Sequence, residues 1–158
     1  MDTAYKTTLE LDKVLARAVQ LCTCRETKAM MQALQPFDTV EEERYALAQT
    51  NAVNALLIKN GSPRFGSVNE VRRVVAHAQK GGILSMGELL EIAATLRNFA
   101  GLNQWYGLSE HEMLPTDDLF YALAPQPVLE RQISESILSP DEMADTASVT
   151  LRDLRRKI

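Results

Sequence analysis

Apolar residues recur along most of this chain at three- and four-residue steps, the spacing of helices that bury one face. In a first segment Leu9, Leu11, Val14, Leu15, Ala18 and Val19 gather on one side, with Asp12, Lys13, Arg17 and Gln20 opposite. A second helix is expected from Arg25 to Leu34, carrying Met30, Met31 and Leu34. It should break at Gln35-Pro36, because the residue before a proline is pushed out of helical angles. Asp38-Thr39-Val40-Glu41 reads as a capping box, in which Asp38 accepts from a free backbone N–H and Glu41 reaches back. Glu41, Glu42 and Glu43 then suit the positive end of the helix dipole. That helix should bury Tyr45, Ala48, Ala52 and Leu56 and stop at Lys59, Asn60 and Gly61.

Two more capping boxes follow. Ser67-Val68-Asn69-Glu70 opens a helix with Val68, Val71, Val75 and Ala78 on one face and Arg72, Arg73 and His77 mostly on the other. Gly81-Gly82 ends it, since glycine takes positive φ freely. Ser85-Met86-Gly87-Glu88 opens the next, with Leu89, Ile92, Ala93, Leu96 and Phe99 inward. So short a link predicts an antiparallel helical hairpin. Beyond Leu102 the pattern loosens, and residues 103–116, with Trp105 and Tyr106, are expected as an irregular helix end and loop. A short helix over 117–122, a stiff turn at Ala124-Pro125-Gln126-Pro127 and a helix over 128–135 come next. Residues 137–144 read as a small β-hairpin around Ser139-Pro140-Asp141-Glu142. Ser148 caps a last helix that reaches Ile158 with no C-cap, the pattern expected of a chain whose natural sequence continues.

Composition narrows the class. The 158 residues are 46% hydrophobic and 24% charged, which excludes a disordered tail, a collagen or a disulfide scaffold. Aromatic residues are only 6%, so the core must be chiefly Leu, Val, Ile, Ala and Met. No apolar run spans a bilayer, and Met1-Asp2-Thr3-Ala4-Tyr5 has no signal-peptide character. A cytoplasmic location is expected. The net charge of -4 argues against nucleic-acid binding through bulk charge.

Candidate chemistry is sparse. Cys22 and Cys24 are two residues apart and far from the isolated His77 and His111, so neither a metal site nor a disulfide is expected. Gly61-Ser62-Pro63-Arg64-Phe65-Gly66-Ser67 has glycines at P-loop spacing, but Ser67-Val68 stands where the phosphate-binding lysine must be. It reads as a helix–helix loop. Glu41, Glu42 and Glu43 point in different directions around a helix, and Glu110 and Glu112 flank His111 in a loop, the pattern of a surface histidine. Ser62, Ser85 and Ser139 read as loop, cap and turn residues. No catalytic residue, cofactor-binding residue or metal ligand is assigned.

The basic cluster Arg152, Arg155, Arg156 and Lys157 is set against Asp153 alone. It gives residues 149–158 a net +3 and leaves -7 to the rest of the chain. These four are the candidate nucleic-acid contacts, as the root of a longer arm; a dipole-matched helix surface is the plainer alternative.

Several stretches, in order, resemble the N-terminal region of the MutS-II family, bacterial relatives of the mismatch-repair ATPases. Thr8-Leu9-Glu10-Leu11-Asp12-Lys13-Val14-Leu15 is similar to its L-E-F-D-K-I-L opening. Gly61-Ser62-Pro63, Ala78-Gln79-Lys80-Gly81-Gly82-Ile83-Leu84, Glu88-Leu89-Leu90-Glu91-Ile92 and Leu96-Arg97 follow its G-x-P, A-x-x-G-G-x-L, E-L-L-x-I and L-R pattern. Residues 137–148 and the following Leu151-Arg152, Leu154-Arg155-Arg156-Lys157-Ile158 resemble the lead-in to its lever helices. Leu11 departs from the usual Phe, as do Cys22-Thr23-Cys24-Arg25 and Asn69-Glu70-Val71 from their counterparts, with helical character kept.

The resemblance implies a mainly α fold: an irregular antiparallel helical bundle with a small β-hairpin near the C-terminus, ending in the start of a long lever helix. Residues 1–147 would be a helical core and 148–158 the lever's root. It also implies a non-catalytic structural and coupling module of a larger ATPase, whose ATP, Mg²⁺ and Smr nuclease-like parts lie elsewhere in the polypeptide. The family is associated with branched DNA, restraint of recombination and collided ribosomes. Implied partners are the protein's own ATPase domain and, through the longer protein, DNA or ribosomes. Homodimerisation is implied only at full length, and no membrane partner is. The alternative is a free-standing helical adaptor for protein partners, with an exposed apolar patch of Trp105, Tyr106, Leu119 and Phe120.

Overall fold

The computed structural model describes residues 8–64, 66, 71–108 and 110–157. Among the described residues there are eight α-helices and a two-stranded antiparallel hairpin near the C-terminus, so the chain is mainly α. Internal contacts group it into two compact units, residues up to Glu43 and residues from Arg44 onward.

In the first unit, α1 (Leu11–Leu21) packs on α2 (Arg25–Gln32), and neither helix fully buries a residue. α1 starts at Leu11 rather than Leu9 because Glu10 sits in the left-handed region at φ 55°, where a side chain is disfavoured. Lys13 Nζ holds the Glu10 carboxylate at 2.6 Å. α2 ends ahead of Pro36, as the proline requires.

α3 (Val40–Asn60) is capped one residue later than the sequence pattern indicated. The Thr39 N–H donates to Glu42 Oε2 at 3.3 Å and the Glu42 N–H donates to Thr39 Oγ1 at 3.2 Å, so the reciprocal pair is Thr39–Glu42 and not Asp38–Glu41. Leu56 is buried and Ala48 and Ala52 are half-buried, but Tyr45 is exposed, its hydroxyl donating to the Pro115 carbonyl at 3.0 Å. Gly61, at φ +72°, ends the helix.

α4 (Arg72–Gln79) presents Val74 to the interior, while Val75 stays 41% exposed, which corrects the expected stripe by one position. The capping box expected at residues 67–70 lies outside the described residues. Gly81 takes φ +82°, and the Gly82 N–H returns to the His77 carbonyl at 3.1 Å, closing the helix end.

α5 (Met86–Tyr106) is the central element. Ser85 and Glu88 form its capping box as expected, with the Glu88 N–H on Ser85 Oγ at 3.3 Å and the Ser85 N–H on Glu88 Oε2 at 2.9 Å. The helix does not loosen at Leu102 but runs on to Tyr106, because Trp105 and Tyr106 are core residues at 7% and 3% exposure. Its broadest partner is α7 (Pro127–Ser136), not the sequence-adjacent α4 that the short link indicated.

α7 lies antiparallel on α5, with Ile133 and Ile137 against Ala93 and with Leu89 and Ile92 packed around them. α7 runs directly into β1 (Ile137–Ser139), which pairs with β2 (Glu142–Met143) through Ile137↔Met143 and Ser139↔Glu142, with an irregular register between them. A 3₁₀ turn (Asp145–Ala147) leads to α8 (Val149–Arg155), where the Leu151 N–H donates to Ser148 Oγ at 3.0 Å. Among the described residues no helix is long and apolar enough to cross a membrane.

Candidate functional site

The most developed cluster of polar and ionisable groups was not visible in the sequence pattern. It forms where α5 ends, a strap over residues 107–108 and 110–116 follows, and α6 (Asp117–Tyr121) begins. The Tyr106 ring stacks on Phe120 at 3.9 Å and 11°, and Phe120 also meets Trp105 at 6.0 Å, so the aromatic residues crowd into one core with Leu56. Burying Tyr106 obliges its hydroxyl to find partners inside. It donates to Asp117 Oδ1 at 2.6 Å and lies 2.9 Å from Thr116 Oγ1. Asp117 Oδ2 in turn accepts the Leu114 N–H at 3.2 Å, tying the strap to the first turn of α6.

His111 corrects the expectation of a surface side chain. It is half-buried, with Nε2 3.6 Å from Asp117 Oδ1 and its ring edge-on to Tyr106 at 4.7 Å. From the other side α3 holds the strap, with Tyr45 Oη and Gln49 Nε2 each donating to the Pro115 carbonyl at 3.0 Å and Lys59 Nζ donating to the Glu110 carbonyl at 3.3 Å. Trp105 Nε1 donates to the Gly61 carbonyl at 2.8 Å, and Asn60 Nδ2 to the Trp105 carbonyl at 3.1 Å.

The electrostatics decide what this cluster can do. Burial, with the Asp117 hydrogen bond second, pushes the Tyr106 hydroxyl up to about 12, while the Tyr106 hydrogen bond holds the Asp117 carboxyl below its ordinary range. A tyrosine acting as a base or nucleophile needs the opposite shift. The network therefore fastens the strap to α5 and α6.

The other sequence candidates sit apart from it. Arg152, Arg155 and Arg156 share one exposed side of the C-terminal helix by their three- and four-residue spacing, followed by Lys157. Arg155 is engaged, with Nη1 on the Asp145 carboxylate and, at 3.0 Å, on the Met143 carbonyl; Arg152 Nε stands 3.9 Å from Asp153 Oδ1. Of the P-loop-like glycines, Gly61 ends α3 at φ +72° and Gly66 faces Asn98. The Gly66 N–H is spent on Asn98 Oδ1 at 2.8 Å, and a Cβ at Gly66 would lie 2.5 Å from that oxygen. Cys22 and Cys24 are free thiols. Cys24 caps α2 by accepting the Thr27 N–H at 3.4 Å, and its hydrogen bonds with Thr27 lower its pKa. Among the described residues no three His, Cys, Asp or Glu side chains gather into one cluster. The apolar patch expected of a protein adaptor is also corrected. Trp105 and Tyr106 are buried and Phe120 is half-buried, with only Leu119 exposed.

The fold and these sites define a helical module with a strapped aromatic core. Its sequence is similar to proteins named endonuclease MutS2. The one from Clostridium beijerinckii is 32% identical over 152 residues, covering 95% of this chain and 19% of that protein. Those from Clostridium botulinum (strain Eklund 17B) and Acetivibrio thermocellus are each 31% identical, with the same two coverages. The chain is thus related to MutS2 proteins and spans about 19% of the length of the relatives it matches. No protein-family profile matches it, and no solved structure does.

Proposed function

We propose that this chain is the non-catalytic N-terminal module of a MutS-II-type ATPase, a cytoplasmic protein acting on branched DNA, on collided ribosomes, or on both. The observation that carries the reading is the match of 95% of the chain to only 19% of each relative's length. ATP, Mg²⁺ and nuclease chemistry would reside in the remainder of the polypeptide, which would also supply the dimer contacts. Residues 1–147 would serve as the core and 148–158 as the root of a lever.

The physical support for coupling is the bracing of the C-terminal helix. Arg155 ties it to Asp145 and to the Met143 carbonyl of β2, β2 pairs with β1, and Ile137 of β1 is buried against α5. A push along the lever would reach the α5–α7 core through that chain of contacts. Arg152, Arg156 and Lys157 would then lie near the path of a nucleic-acid backbone followed further along the lever.

The test mixes this chain with the Clostridium beijerinckii relative shortened by its matching N-terminal region. The expected result is a stable complex by size-exclusion chromatography, with an ATP turnover rate that differs from that of the shortened protein alone. Absence of any complex, with or without nucleotide, contradicts the reading. A free-standing adaptor is the second reading, and the observation favouring it is the exposed surface described next.

A further inference from the structure

Charge is segregated along this chain more sharply than its net value conveys. Between Arg97 and Arg131 there is no lysine or arginine, yet the stretch carries Glu110, Glu112, Asp117, Asp118 and Glu130. Glu130 is engaged by Arg97. The other four acids belong to the strap and the first turn of α6. Lys59 reaches the beginning of the strap, at the Glu110 carbonyl.

On and beside the same strap, three side chains with large apolar surfaces are exposed, while Leu114 packs on the aromatic core. Met113 is 91% exposed, Tyr121 71% and Tyr45 51%. They border a cleft of about 510 Å³ whose remaining walls include Pro115, Asp117 and Asp118. That volume lies within the range of ordinary binding clefts. The floor is tied down on two sides: Pro115 is held from α3 by Tyr45 and Gln49, and Asp117 is held by Tyr106. Tyrosine and methionine are residue types that recur at the centre of protein interfaces, and a tyrosine face attracts a cation. Acids at the rim repel the phosphates of nucleic acids and of anionic lipid surfaces. The charge fits one class of occupant.

We propose that this cleft docks a protein partner through an amphipathic helical segment bearing arginine or lysine. The segment's apolar side lies on Met113 and Tyr121, and its cations meet Asp118 and the tyrosine rings. Asp118 is the exposed acid of the pair; Asp117 is committed to Tyr106 and Leu114. The proposal stands on this surface alone and does not depend on the MutS2 reading.

The test is fluorescence anisotropy of the whole chain with a labelled helical peptide of leucine and arginine. A matched peptide with glutamate for arginine is the control. The arginine peptide should bind in the micromolar range and the glutamate peptide should not. Asp118→Lys and Tyr121→Ala should each weaken binding by about tenfold or more. Glu135→Lys, the same charge change on exposed α7 surface, should alter it by less than about twofold. These side chains are exposed, so folding should survive, as thermal unfolding would verify. Should either cleft variant be unstable, Met113→Ala, at a side chain 91% exposed, supplies the same comparison. Equal losses in Asp118→Lys and Glu135→Lys, binding of the glutamate peptide, or no binding of the arginine peptide would overturn the proposal. So would self-association of the chain that Asp118→Lys abolishes, because a second copy would then be the occupant.

Discussion

The second unit contains two cores built on the same helix by different physics. Toward the N-terminal half of α5, Ala93, Ile133 and Ile137 form an aliphatic cluster, and its polar contacts, Arg97 with Glu130 and with Ser134, lie outside it. Toward the C-terminal end, Leu56, Trp105 and Tyr106 form an aromatic cluster with a hydrogen-bonded network inside it. The aliphatic core excludes water and fits by shape. The aromatic core gains area from large rings, but each ring's polar atom must be satisfied within. That obligation creates the strap, because Asp117, Thr116 and the Gly61 carbonyl are where Tyr106 and Trp105 find partners.

The difference can be broken from either side. Trp105→Ala should have the largest effect, about 3–5 kcal/mol of stability, since it opens a cavity and leaves the Gly61 carbonyl without its donor. Ile133→Ala should cost about 3 kcal/mol by cavity formation alone. Urea denaturation checks both, and only the Trp105 variant should also expose the strap to protease cleavage.

Tyr106→Phe keeps the ring and should cost about 1–2 kcal/mol at neutral pH. It also separates the cores by pH. The Tyr106 hydroxyl rises from 10.0 to about 12 on folding, so its contribution is complete below pH 10 and is lost as pH climbs from 10 toward 12. Urea midpoints measured across that window should fall in the parent chain and fall less in Tyr106→Phe and no less in Ile133→Ala. Asp117 acts on the acid limb. Its carboxyl is lowered from 3.8, so its stabilisation is present above 3.8 and disappears as pH falls through the lower folded value. Asp117→Asn should flatten that limb in acid titrations followed by circular dichroism.

Two smaller changes sharpen the comparison. Ser85→Ala removes the cap of the helix that both cores share, and should lower the thermal midpoint through a loss of about 1 kcal/mol. Arg97→Ala breaks a contact whose arginine is 64% exposed, so differential scanning calorimetry should register about 1 kcal/mol or less.

Local rules carried most of the helix boundaries. The Ser85–Glu88 box, the positive-φ glycines 61 and 81, the short helix at Asp117 and the hairpin at residues 137–144 all follow from nearby residues, and each stands in the structure. Two of the misplacements share one physical origin. Tyr45 and the end of α5 at Tyr106 are decided by what packs from far along the chain, which periodicity does not encode. The Thr39 cap differs because two adjacent residues both suit the position, and only the approach of Glu42 selects one. The strap was illegible because its bonds join residues up to 70 positions apart. His111 flanked by acids looked like solvent-facing sequence until Tyr106 and Asp117 enclosed it. The gap in basic residues between Arg97 and Arg131 was readable throughout, but acquires meaning only beside exposed Met113 and Tyr121.

The most direct test of the module's passive role is to titrate the isolated chain with Mg²⁺–ATP and with a four-way DNA junction at physiological salt. The account predicts no nucleotide turnover and DNA binding no tighter than micromolar, weakening further as salt rises. ATP hydrolysis by these residues, or nanomolar junction binding that resists salt, would contradict it.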